Sequence, residues 1–296
     1  MNERDKRRRF HEILGGNHRV LAPSMPEPLL ARLVQDCGYQ LMHIAGNGMH
    51  RSLLLADESL VTMTEMAERA RAVAEALDIP VMVDAETGYG GPPQAARAIR
   101  LFERAGAAGL RLEDGLFGKS GINRAKENGI TPIQEMCEKI KAAADARVDE
   151  SFVIAIRCDG RPGESLQQIQ ERCTAYRDAG ADVVGLGPGT KEDLAWFGVH
   201  IPQPLMASWT ASTGLKNVNE LFDYGYRVAL MPSNVHLAAL AGARAFLLDL
   251  ARTGTTDSLA GVRGMDQVRR WYGAIGFRTP EPFVQSEETP VIAPRE

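Results

Sequence analysis

Cysteine is scarce: Cys37, Cys137, Cys158 and Cys173 are the four in 296 residues. None forms a Cys-x-x-Cys pair, which excludes the usual zinc and dithiol spacings and leaves buried structural thiols as the expectation. A surplus of positive charge is also missing. Thirty-four Lys and Arg face 38 Asp and Glu, a net charge of −4, which argues against a broad nucleic-acid-binding face. No apolar stretch reads as long enough to span a membrane. The basic start MNERDKRRRF is followed by no apolar run, so it does not read as a secretory signal. Reduced thiols in the cytoplasm are therefore expected. Arg7, Arg8 and Arg9 read as the solvated side of a helical arm. The run GLGPGT at 185–190 lacks P-loop or Rossmann spacing.

What is present is alternation. Hydrophobic residues make up 44% of the chain, enough for one large core. Eight short apolar runs recur near 19–22, 41–45, 80–84, 109–113, 152–157, 182–186, 204–207 and 227–231. Most lack strict alternation, as strands buried on both faces do. Amphipathic segments separate them, at 62–77, 93–105, 132–145, 164–179 and 232–250. Thr62 stands three residues before Glu65, a capping-box spacing. Gly38, Gly106, Gly180 and Gly225 close helical segments, where a left-handed residue is needed. Eight β–α units in about this length predict a single (β/α)8 TIM barrel over residues 1–296, with 251–296 as a C-terminal helix and extended arm.

Barrel chemistry sits at the C-terminal ends of strands. There the runs end in Asp84-Ala85-Glu86, in Glu113-Asp114 and in Arg157-Cys158-Asp159. Hard carboxylate oxygens converging on one mouth suit Mg²⁺ or Mn²⁺. For any one carboxylate alone, capping a helix N-terminus is the better reading; three consecutive strand ends together favour a site.

The segment PVMVDAETGYGGPPQAARAIRLFERAGAAGLRLED, with IAIRCDG at 154–160 and AGADVVGL at 179–186, resembles the isocitrate lyase and phosphoenolpyruvate mutase superfamily, closest in appearance to its oxaloacetate decarboxylases. The resemblance spans roughly residues 8–250. It implies a (β/α)8 barrel, Mg²⁺ (or Mn²⁺), a small 2-oxo acid substrate and C–C or P–C bond chemistry next to its enolate. It implies metal ligation, direct or through water, by Asp84, Glu86, Glu113 and Asp57. It places Gly46, Asn47 and Gly48 in a loop whose backbone N–H groups grip the substrate carboxylate, and Arg157 against substrate oxygens. Trp209 and Ser233 are expected to line the pocket. A homo-oligomer, dimer or tetramer, is implied, with 262–275 packing on a neighbour.

Two departures narrow the activity. Glu86 stands where the family usually has Asp. The loop GLFGKSGINRAKENG at 115–129 carries Lys119 and Ser120 at catalytic-loop positions where the lyases carry a Cys and His. An aldol-type lyase needs that acid/base, whereas decarboxylation of a 3-carboxy-2-oxo acid does not. The expectation is a decarboxylase of oxaloacetate or a close analogue. A carbon–carbon lyase or phosphorus–carbon mutase, and a non-catalytic barrel that binds a 2-oxo acid, are the alternatives. Metal titration with and without oxalate discriminates them.

Overall fold

The computed structural model describes residues 1–116, 129–160, 163–187, 189–260 and 264–276. Two compact units divide the chain, Met1–Val235 and His236–Glu296.

In the first unit, eight strands alternate with helices: β1 (Val20–Pro23), β2 (Met42–Ile44), β3 (Val81–Asp84), β4 (Gly109–Glu113), β5 (Val153–Cys158), β6 (Val183–Leu186), β7 (Leu205–Ser208) and β8 (Val228–Met231). All neighbouring pairs are parallel, in the order β1-β8-β7-β6-β5-β4-β3-β2. A parallel bridge between Ser24 and His43, with the Met25 N–H donating to the His43 carbonyl at 3.2 Å, brings β1 to β2 and makes a nearly closed barrel. The expected (β/α)8 barrel is therefore the observed fold, and each apolar run lands on its strand within a residue or two.

The helices are α1 (Glu3–Gly15), α2 (Pro28–Asp36), α3 (Gly46–Ser52), α4 (Met63–Ala76), α5 (Pro92–Arg104), α6 (Ile133–Ala146), α7 (Leu166–Asp178), α8 (Lys191–His200), α9 (Val218–Asp223), α10 (Asn234–Thr253) and α11 (Gly264–Ala274). The Thr62 capping box is present, opening α4.

Two hydrophobic layers follow from strand alternation. Val83, Leu110, Leu112, Ile154 and Ile156 face outward into the core shared with the helices. Met82, Val153, Ala155, Val228 and Leu230 face the barrel interior with Phe10, Ile13 and Leu14 of α1, which closes the N-terminal end. On β4 the inward positions are Gly109, Arg111 and Glu113, so the interior turns from apolar to charged along the strand.

Three expectations are corrected. Arg7 is not on a solvated arm: it is buried, donating to the backbone carbonyls of Glu103 and Ala107 and pairing with Asp149 at 3.4 Å. A buried guanidinium is tolerable because its donors are satisfied. Gly46–Gly48 is not a loop but the first turn of α3. Finally, α10 is long and apolar enough to cross a membrane by length and composition; its Ala- and Leu-rich run is interrupted by Arg244, which hides it in a sequence scan.

Candidate active site

The C-terminal ends of β2–β8 surround a cavity lined by Asp57, Asp84, Glu86, Arg111, Glu113 and Arg157 on one side, and by Ser208, Thr210, Ser212 and Thr213 on another. Gly46, Asn47 and Ser59 complete the rim beside α3. Strand register sets the charged pairs: Asp84 of β3 is level with Arg111 of β4, and Glu113 of β4 with Arg157 of β5.

Asp84 is fully engaged. Its Oδ1 accepts from Arg111 Nε at 2.8 Å and lies 3.0 Å from His43 Nε2; its Oδ2 accepts from Arg111 Nη2 at 3.0 Å and from the Gly46 N–H at 2.8 Å. Burial opposes ionisation of Asp84. The Arg111 guanidinium, then His43 and the Gly46 amide, outweigh it and hold the carboxyl well below the usual range. Burial lowers the His43 pKa despite Asp84, so the ring is neutral near pH 7, with the proton on Nε2 facing a carboxylate that can only accept. The Gly46 N–H expected to grip substrate is thus committed to Asp84.

Arg157 is held by Asp159 through two hydrogen bonds, Nε to Oδ1 at 2.6 Å and Nη2 to Oδ2 at 2.7 Å, and also contacts Glu113. Burial would lower its pKa, but the Asp159 charge and hydrogen bonds raise it, so its positive charge is permanent. Gly187 leaves room for this pair: a Cβ there would stand 2.2 Å from Asp159 Oδ1.

The turn after β3 is tight. Glu86 and Tyr89 have φ of +50° and +60°, with Gly88 and Gly90 also positive. Non-glycine residues rarely adopt that region, and such geometry gathers at functional sites. It brings the Glu86 carboxylate against α3, where a Cβ on Gly46 would lie 2.1 Å from Glu86 Oε1. One ligand-type atom from each of Glu86, Asp57 and His50 falls within 4.8 Å of the others. His50 is not available as a ligand. Its Nε2 accepts from the Leu60 and Val61 N–H groups at 3.1 and 3.3 Å, so the proton is on Nδ1, which donates to the Gly46 carbonyl at 2.7 Å. The donor set that remains is all-carboxylate, Asp57, Asp84, Glu86 and Glu113, against the two guanidiniums of Arg111 and Arg157. Hard oxygen donors with a surplus of negative charge fit Mg²⁺ or Mn²⁺.

Gly46, Asn47 and Arg157 line the cavity as expected, whereas Gly48 does not, facing Ser24, Pro26 and Pro232 instead. Trp209 packs against the core, and its neighbours Ser208 and Thr210 take the cavity wall. Ser233 lies beside the rim, accepting from Arg51 Nη1 at 2.6 Å and Asn47 Nδ2 at 3.3 Å. Lys119 and Ser120 lie outside the described residues. Arg111 escaped the sequence reading, although its place two residues before Glu113 in one strand put it on the same face.

No cysteine or histidine is among the described residues lining the cavity. Cys158 is buried, and its hydrogen bond with Cys173, followed by burial, raises its thiol well above the ordinary range; it is no thiolate base.

The family model described as phosphoenolpyruvate phosphomutase matches residues 10–250. The chain is 35% identical over 254 residues to "Probable 2-methylisocitrate lyase 2" of Corynebacterium glutamicum, covering 84% of this chain and 82% of that protein. It is 30% identical over 245 residues to an oxaloacetate decarboxylase of Pseudomonas putida, covering 81% and 82%. A phosphonopyruvate hydrolase solved with oxalate and Mg²⁺ superposes with a TM-score of 0.81 at 24% identity, covering 93% of this chain and 96% of that one.

Proposed function

This chain belongs to the phosphoenolpyruvate phosphomutase family, within the superfamily of isocitrate lyases and phosphoenolpyruvate mutases, and from that premise we propose that it decarboxylates oxaloacetate or a similar 3-carboxy-2-oxo acid in the presence of Mg²⁺ or Mn²⁺. One observation carries the choice among the family's activities. The described cavity wall offers carboxylates, guanidiniums and hydroxyls but no thiol or imidazole, and residues 115–129 contain neither Cys nor His. An aldol-type cleavage needs a base for the substrate hydroxyl and an acid for the enolate. Decarboxylation needs no such base: the C3–C4 bond breaks, its electron pair forms the C2–C3 double bond as the keto oxygen takes the negative charge, CO₂ leaves, and water supplies the proton that the enolate takes up at C3.

Asp57, Glu86 and Glu113 would hold the cation, with Asp84 behind them. A bound divalent cation supplies Lewis-acid polarisation of the keto oxygen. Arg157, aligned by Asp159 and Glu113, presents permanent positive charge to substrate oxygens, and its charge opposes none of the electron flow toward C2. The hydroxyls of Ser208, Thr210 and Ser212 offer donors to a second carboxylate. A 2-methylisocitrate lyase is the second reading, favoured by the 35% identity to the C. glutamicum protein.

The experiment is turnover of oxaloacetate, 2-methylisocitrate and isocitrate by the pure protein with Mg²⁺ or Mn²⁺, and again after EDTA. Pyruvate and CO₂ are expected from oxaloacetate, lost on chelation and restored by added metal, with no cleavage of the other two. Succinate and pyruvate released from 2-methylisocitrate would replace the decarboxylase reading with the lyase.

A further inference from the structure

Behind Arg157, away from the cavity, lies a polar cluster of Asp114, Tyr176 and Arg172, each at most 3% exposed. Arg172 and Tyr176 are four residues apart on α7 and share one face of it. Asp114 brackets the segment that ends β5. Its N–H donates to the Arg157 carbonyl at 3.2 Å, and its Oδ1 accepts from the Asp159 N–H at 2.8 Å. Its Oδ2 accepts from the Tyr176 hydroxyl at 3.0 Å. Burial, then the Asp114 charge, raise the Tyr176 phenol well above its ordinary range, so it keeps the proton that it donates. The same hydroxyl accepts from Arg172 Nη1 at 3.2 Å, which also donates to the Thr131 carbonyl at 3.1 Å. Glu164 holds Arg172 Nε and Nη2.

We infer that Tyr176 is a positioning residue for Arg157: through Asp114 and Asp159 it fixes the angle at which the guanidinium faces the cavity, without lining the cavity itself. A carboxylate turns about its own side-chain bonds. A donor on each oxygen leaves Asp114 one orientation, and the Asp159 N–H is held with it. Asp159, 1% exposed, grips the guanidinium at two nitrogens, so a tilt of Asp159 tilts the plane of Arg157. The consequence for substrate rests on the 2-oxo acid reading of the cavity, whereas the link from Tyr176 to Arg157 does not.

The test is the solvent exchange of the Arg157 Nε hydrogen, read by heteronuclear NMR of the full chain and assigned by its loss in Arg157→Lys. The Arg111 Nε hydrogen, held by Asp84 in the same cavity, is the control. Tyr176→Phe removes one oxygen and keeps the ring that fills the core. In it the Arg157 hydrogen should exchange about fivefold faster or more, while the Arg111 hydrogen keeps its wild-type rate. Mn²⁺-dependent oxalate affinity should fall about fivefold, with the affinity for Mn²⁺ alone within about twofold of the wild type. Asp159→Ala cuts the path between the two residues, so adding Tyr176→Phe to it should change neither readout further. If Tyr176→Phe does not fold, Arg172→Lys, whose ammonium lacks the fork that joins Glu164, Thr131 and Tyr176, takes its place with the same directions. A merely structural role would loosen Arg157 and Arg111 together. That outcome, an unchanged Arg157 rate, or effects that add in the double variant overturns the inference. A wild type that binds Mn²⁺ but no oxalate would refute the 2-oxo acid reading and leave the role of Tyr176 standing on the exchange rates.

Discussion

Asp114 follows Glu113 directly, yet its carboxylate points away from the cavity into full burial. It accepts from the Asp159 N–H at 2.8 Å and the Tyr176 hydroxyl at 3.0 Å, and so anchors the backbone that carries the Arg157–Asp159 pair. Burial, then the nearby Asp159 charge, push its carboxyl up to about 6, against those hydrogen bonds. The folded protein therefore holds this proton at pH values where the unfolded chain, near 3.8, has lost it. The native state binds more protons between about pH 4 and 6, so the stabilisation is full below about pH 4 and is lost as pH rises through 6. Asp114→Asn cannot ionise. Measured by urea unfolding, its stability relative to the wild type should rise by about 2.4 kcal/mol from pH 4 to pH 7. Whatever constant cost the amide brings, the slope is the readout, and a difference flat in pH would show that Asp114 ionises normally. At this scale the sequence is a partial guide. Asp84, Glu86, Glu113 and Arg157 were legible because strand ends in a barrel define a mouth. The two ion pairs that organise them, one buried and one partly buried, were not, because Arg111 and Asp159 gain their meaning from register between strands.

β4 shows how closely the elements pack at the other end of the barrel. A Cβ on Gly109 would lie 2.7 Å from the Val153 carbonyl oxygen, 2.8 Å from Val153 Cβ and 3.0 Å from Phe10 of α1. Two of these are backbone or near-backbone atoms that cannot swing aside, so glycine is required here by space rather than by its dihedral angles. Gly109→Ala should cost about 1–3 kcal/mol through overpacking, seen as a lower urea midpoint with an unchanged slope. An unaltered midpoint would mean that β5 and α1 both shift to make room at no cost. Elements buried on both sides were readable from their apolar runs, which is why all eight strands were found. α1 and α3 were misread for opposite reasons. The charges of α1 suggested solvent, although Lys6 and Arg7 bond to the carbonyls of Ala74, Glu103 and Ala107. For α3 it was the family resemblance that implied a loop at Gly46–Gly48, whereas these residues open a helix in which the close approach of Glu86 to Gly46 admits nothing larger.

At the scale of the whole molecule the feature left without an explanation by the barrel is α10. Twenty residues long, it has no buried side chain. Leu237, Leu240, Leu247 and Leu248 are 54%, 63%, 60% and 53% exposed. At 3.6 residues per turn these four fall within an arc of roughly 100°, a single stripe. A contiguous apolar face of this kind marks an interaction surface. A bilayer and a protein partner make different demands on it. Arg244 falls inside the same arc and is itself exposed; near the centre of a spanning helix it would cost about 2.5–3.5 kcal/mol, whereas arginine is enriched in protein–protein interfaces. We propose that the stripe is covered by a second copy of this chain, so that the protein is a homo-oligomer built from dimers. Light scattering at micromolar concentration should give the mass of two or four chains. Leu240→Asp with Leu247→Asp places two charges on the stripe and should shift the mass to one chain while leaving the barrel's circular dichroism intact. A wild-type monomer that floats with lipid vesicles would assign the stripe to a membrane instead, and a monomer that ignores both vesicles and its own copies would leave the Leu stripe as solvent-exposed surface and refute the oligomer.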